Sequence, residues 1–164
     1  MFLFIAHDGF AQPDLWEYFF KSKGALEFGA VIFTDPGRTS SFDSFFIKNF
    51  HFIELSTTYG YGDLLPNTLI AFAVALDKYP QMKHAYLIPG NCIPVKPIQW
   101  YSKVRSKSLV CFETDYQETI KSSKRPLIVY SGAFVIIKKH MEFMISHHVE
   151  LISYPSYLYN GRTR

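Results

Sequence analysis

At 164 residues the chain suits one domain and can bury a sizeable core, and 48% hydrophobic with 18% aromatic residues excludes a disordered chain. Seventeen Lys and Arg against fourteen Asp and Glu leave a net charge of +3, far from the dense basic stripe of a nucleic-acid binder. The longest apolar runs are strand-sized, and the first one meets His7-Asp8 with no basic leader or small-residue cleavage site, so the expectation is a cytoplasmic protein without signal peptide or membrane anchor.

Residues 1–7 form an apolar run that stops at His7-Asp8-Gly9, which predicts a buried strand and a loop. Gln12-Pro13-Asp14 opens a helix with proline in its first turn, and Leu15, Trp16, Phe19 and Phe20 recur at the spacing of one helical face. A second strand spans 30–34 and ends at Asp35-Pro36-Gly37; a third and shorter one spans 50–55. After the glycine-rich turn 59–62, Asp63 caps a long helix to about Tyr79, with Leu69, Phe72, Ala73 and Leu76 as its buried stripe.

A fourth strand, 85–88, runs into the stiff loop Pro89-Gly90-Asn91-Cys92-Ile93-Pro94. A short helix at 97–104, a fifth strand at 109–113 and a polar loop at 118–125 follow. Residues 128–138 are a sixth strand or a pair interrupted at Gly132, 139–148 a last helix, and the chain from about 155 a tail. Strand–helix alternation with continuous apolar strands predicts a single α/β domain, a mostly parallel sheet covered by helices on both faces.

In such a sheet the ligand crevice lies at the carboxyl ends of the strands. His7, Asp8, Thr34, Asp35, Gly90, Asn91, Glu113 and Asp115 would gather there, with proline fixing the 89–97 loop and Gly90 allowing close backbone approach. Several have a plainer alternative: His7 and Asp8 as caps of the next helix, Asp35 as part of an Asp-Pro-Gly turn, Glu113 and Asp115 as ordinary loop charge. The basic groups cluster at Lys103-Arg105-Lys107, Lys121-Lys124-Arg125 and Lys138-Lys139-His140, as phosphate ligands or a solvated face. Cys92 and Cys111 are the only cysteines and are expected reduced, Cys92 in packing rather than as a nucleophile.

Several segments in order resemble the core-2/I-branching N-acetylglucosaminyltransferase family and its plant relatives, over roughly residues 1–150. "PDLWEYFFK" is similar to that family's helix after its first strand, and "VIFTDP" to its V-x-x-D-P strand. "YGYGDLLPNTLIAFAVAL" resembles the W-G-x-x-x-x-x-A-x-x-x-L-x-x-A-L segment, with Tyr61 where Trp is usual. "YLIPGNCIPVKP" falls on L-S-x-x-x-P-L, with Pro89 in place of Ser, and "YSGAFVIIKKH" on G-S-x-W-F-x-x-x-R-x-H.

The resemblance implies a Rossmann-type GT-A fold and metal-independent, inverting transfer from a UDP-sugar, usually UDP-N-acetylglucosamine, to a glycan hydroxyl. The UDP-sugar is a substrate, and no cofactor is implied. It puts the nucleotide sugar against His7, Asp8, Thr34, Asp35, Gly90 and Asn91, and the leaving diphosphate against Lys138 and Lys139, with Arg162 and Arg164 as further basic groups. No Asp-x-Asp follows a strand, in keeping with metal independence. The family's base is a Glu downstream of the last helix, which nothing in "YPSYLYNGRTR" matches. Glu113 and Asp115 are the substitutes, with Lys121, Lys124 and Arg125 on the acceptor. The alternative is a degenerate domain that binds a nucleotide sugar, a glycan or a protein without turnover. The richness in Phe, Tyr, Ile and Lys fits an A/T-rich genome, a viral one among the options.

Overall fold

The computed structural model of the protein describes residues 1–24, 27–55, 64–103, 107–112 and 130–147. Strands β1 (Phe2–Ile5), β2 (Ala30–Thr34), β3 (His51–Glu54), β4 (His84–Pro89), β5 (Leu109–Phe112) and β6 (Tyr130–Ile137) form one sheet in the order β3-β2-β1-β4-β6-β5. The first four are mutually parallel. Strand β6 is antiparallel to both of its neighbours, so β5 runs with the parallel set. The helices are α1 (Pro13–Lys21), α2 (Ser44–Asn49), α3 (Leu64–Lys78), α4 (Ile98–Tyr101) and α5 (Lys138–Ser146), with a 3-10 turn at Thr39–Ser41.

Successive strand residues face opposite sides, and both sides are covered. On one, Phe2 and Phe4 of β1, with Ile32, Tyr86 and Ile88, pack under Trp16, Phe19 and Phe20 of α1 and Phe46 of α2. On the other, Leu3, Val31, Phe33, Leu87 and Ile136 pack under Leu69, Phe72 and Ala75 of α3 and Met141 of α5. The expected α/β architecture, with helices on both faces of a mostly parallel sheet, is therefore present. Among the described residues the first face carries most of the packed aromatic rings. Phe4 meets both Phe10 and Trp16 edge-on at 4.9 Å between ring centroids, contacts worth about 0.5–1.5 kcal/mol each beyond the area they bury.

Two expectations change, at Leu15 and Ala73, and one open alternative is decided, at 128–138. Leu15 is 44% exposed and lies outside the buried stripe of α1, which is Trp16, Phe19 and Phe20. In α3 Ala73 is exposed; the buried line is Leu69, Phe72 and Ala75, one residue in three or four along the helix. Residues 128–138 contain one uninterrupted strand, Tyr130–Ile137, which passes through Gly132. That strand runs against the others. Its pairing of Leu87 with Phe134 and His84 with Ile137 brings its last residue to the first residue of β4, at the amino end of the parallel set.

Candidate functional site

The chain leaves β1 to build β2 and β3 on one side and returns to place β4 on the other. The strand order thus reverses at the β1–β4 junction, where open α/β sheets form their ligand crevice. A cleft of about 850 Å³ lies at these carboxyl ends, lined by His7 and Asp8 after β1, Asp35 and Arg38 after β2, and Gly90 and Asn91 after β4. That volume is in the usual range for a small-molecule site.

Backbone bonds fix these loops. The Ala6 N–H donates to the Phe33 carbonyl at 2.9 Å. The His7 carbonyl accepts the Asp35 N–H at 3.0 Å and the Thr34 hydroxyl at 2.6 Å. His7 is thereby stapled to the end of β2, and its Nδ1 lies 3.4 Å from Asp35 Oδ2, each side chain about one-third exposed. Asp35-Pro36-Gly37-Arg38 is a type II turn: the Arg38 N–H donates to the Asp35 carbonyl at 3.0 Å, and Gly37 has φ +76°.

The outer side of that turn is held by Glu54, the last residue of β3. Its Oε1 accepts the Thr39 hydroxyl at 2.8 Å. The Gly37 N–H and then the Thr39 hydroxyl hold the Glu54 carboxyl below its ordinary value; the Thr39 N–H adds to them. Arg38 thus lies between two residues whose donors lower the charge cost of one carboxylate, the Thr39 hydroxyl by a direct bond.

On the β4 side the Gly90 N–H donates to the Ile5 carbonyl at 2.7 Å, and the Gly90 carbonyl accepts the Ala11 N–H at 3.1 Å. Past Asn91, the Cys92 carbonyl accepts the indole N–H of buried Trp16 at 2.9 Å. Burial pushes the Cys92 thiol up, which suits packing and not nucleophilic attack at neutral pH.

Of the residues expected at the site, His7, Asp8, Asp35, Gly90 and Asn91 are brought together. Thr34 is not a lining residue: it is 0% exposed, with its hydroxyl committed to the His7 carbonyl. Lys138 and Lys139 are not in the cleft either. They follow the antiparallel strand β6, so they stand at the amino end of β4, where the Lys138 N–H donates to the Lys83 carbonyl at 3.0 Å and its Nζ to the Pro80 carbonyl at 2.6 Å. Glu113, Asp115, Lys121, Lys124, Arg125, Arg162 and Arg164 lie outside the described residues, as does Asp63.

Two charged lining residues have no place in the sequence-based site, Arg38 and Asp43. The signal for Arg38 was its place directly after the Asp-Pro-Gly turn. Asp43 precedes α2, and its carboxylate makes no capping bond there. Among the described residues the cleft therefore gathers three carboxylates, Asp8, Asp35 and Asp43, and one guanidinium. No group of three or more His, Cys, Asp or Glu among the described residues is placed to hold a metal ion, and no described helix is long and apolar enough to cross a membrane.

The fold and the cleft together define a class: an α/β protein with both sheet faces covered and, at its topological switch point, a crevice where charged side chains sit among apolar ones. In comparisons with known proteins, no family model matches the chain and no curated protein matches it.

Proposed function

We propose that the protein is a glycosyltransferase-like domain that takes a UDP-sugar in the β1–β4 crevice and transfers the sugar, N-acetylglucosamine by the resemblance of its segments, to a glycan hydroxyl with inversion. The observation that carries this reading is the convergence of His7, Asp8, Asp35, Gly90 and Asn91 from the ends of three strands onto one cleft. Carboxylates at strand ends suit ribose hydroxyls, which donate to them, and the Asn91 amide can both donate to and accept from a uracil edge. In the transfer, the acceptor oxygen bonds to the anomeric carbon as that carbon's bond to the UDP oxygen breaks. UDP leaves with the bonding electrons, and a carboxylate, Glu113 or Asp115, takes the hydroxyl proton.

A second reading is a domain that binds a nucleotide sugar, glycan or protein partner without turnover. It is favoured by the position of Lys138 and Lys139, at the far end of the sheet from the cleft they were expected to serve. A panel of UDP-sugars titrated with and without EDTA, followed by transfer assays on glycan acceptors, tests both. Metal-independent binding with transfer that falls about 10²–10⁴-fold in Glu113→Gln or Asp115→Asn supports the enzyme. Binding without transfer supports the second reading. Binding lost to EDTA and restored by Mn²⁺ contradicts metal independence, and no binding of any UDP-sugar contradicts the enzyme and the nucleotide-sugar form of the second reading.

A further inference from the structure

The cleft has a charge problem: a nucleotide phosphate entering it meets the carboxylates of Asp8, Asp35 and Asp43. Anions are held where donors and positive charge outweigh such repulsion. Lys138 and Lys139 are at the other end of the sheet, and Lys138 Nζ is already bound to the Pro80 carbonyl. Among the described lining residues the cleft's cation is Arg38.

Three features suit Arg38 to that task. Its backbone is fixed by the type II turn from Asp35, with the Pro36 ring and the positive φ of Gly37 setting the course of the chain. The next residue, Thr39, is tied by its hydroxyl to the Glu54 carboxylate, so the turn is held from its outer side as well. Its guanidinium is exposed and, among the described residues, forms no ion pair, although three aspartates line the same cleft. A planar group with five donors, not engaged by any described carboxylate, is suited to two oxygens of a phosphate.

We infer that Arg38 takes the phosphate of the bound nucleotide and is what makes the cleft prefer a nucleoside diphosphate to a nucleoside. This rests on the nucleotide reading of the cleft. The three carboxylates sharpen the dependence, since among the described lining residues Arg38 is the Lys or Arg that offsets their charge.

The test is calorimetric titration of UDP and of uridine into the wild type, Arg38→Gln and Arg38→Lys, with Lys138→Gln/Lys139→Gln as a control, each checked for an unchanged unfolding temperature. Arg38→Gln should weaken UDP by about tenfold or more and leave uridine unchanged, since a hydrogen bond to a charged group contributes on that scale. Arg38→Lys should recover part of the loss by keeping the charge without the fork. The control should bind UDP like the wild type, and added salt should weaken UDP more in the wild type than in Arg38→Gln. Undiminished UDP binding by Arg38→Gln, or equal losses for UDP and uridine, overturns the assignment and leaves the cleft standing. A wild type that binds neither ligand overturns the nucleotide reading itself, and the role of Arg38 falls with it.

Discussion

Gly90 lies so close to Ala6 that a β-carbon at position 90 would be 2.7 Å from the Ala6 β-carbon, with the Ala6 α-carbon and the Gly9 carbonyl oxygen each at 3.0 Å. The loops after β1 and β4 thus meet backbone to backbone at the floor of the cleft. Gly90→Ala should force them apart at about 1–3 kcal/mol, the usual range for overpacking. Thermal unfolding should fall by several degrees, at roughly 2–4 °C per kcal/mol for a chain of this size. Adding Ala6→Gly should return part of that loss, because it removes the nearest atom. Strict additivity of the two changes would mean that their contact is not the cause.

Thr34→Val keeps the shape of a fully buried side chain and deletes the donor to the His7 carbonyl. About 1 kcal/mol of stability should be lost in urea unfolding, the net worth of a typical hydrogen bond. Nucleotide affinity should change little, since the hydroxyl faces the His7 backbone. Abolished binding at unchanged stability would instead place that hydroxyl on the ligand.

Glu54 predicts a pH dependence whose sign follows from its hydrogen bonds. The Gly37 N–H, followed by the Thr39 hydroxyl, lowers its folded value below the ordinary 4.5. The unfolded chain therefore binds the proton more readily, and the stabilisation is fully present above the unfolded value and lost as pH falls through the folded one. Glu54→Gln should be less stable than the wild type near neutrality, with the gap closing below about pH 4.5 as the wild-type carboxyl takes a proton. Urea unfolding from pH 3 to 7 reads this directly. A gap that does not depend on pH would leave the charge of Glu54 without a role in holding the turn.

Much of the fold is legible in the sequence because continuous apolar runs such as Ala30-Val31-Ile32-Phe33 require cover on both faces. The strand-end residues His7, Asp35 and Gly90 follow, since loops begin where such runs stop. Direction is not legible. An apolar strand buried on both faces carries the same pattern parallel or antiparallel, so β6 shows no mark of its reversal. The misplacement of Lys138 and Lys139 comes from that one ambiguity. The segment before β3 was missed although Phe42, Phe46 and Phe50 recur at a spacing of four and are all buried, because Thr39-Ser40-Ser41 and Asp43-Ser44 resemble a loop. Arg38 was hidden in the same stretch.

The central claim is that a UDP-sugar occupies the β1–β4 crevice at the carboxyl ends of the strands. Titration of UDP-N-acetylglucosamine into the wild type, Asp35→Ala and the double variant Lys138→Ala/Lys139→Ala tests it most directly. Binding by the wild type, weakened about tenfold or more in Asp35→Ala and unchanged in the double variant, is the predicted result, with the scale set by loss of a hydrogen bond to a charged group. Binding that survives Asp35→Ala intact and is lost with the two lysines would put the ligand at the opposite end of the sheet and contradict the claim.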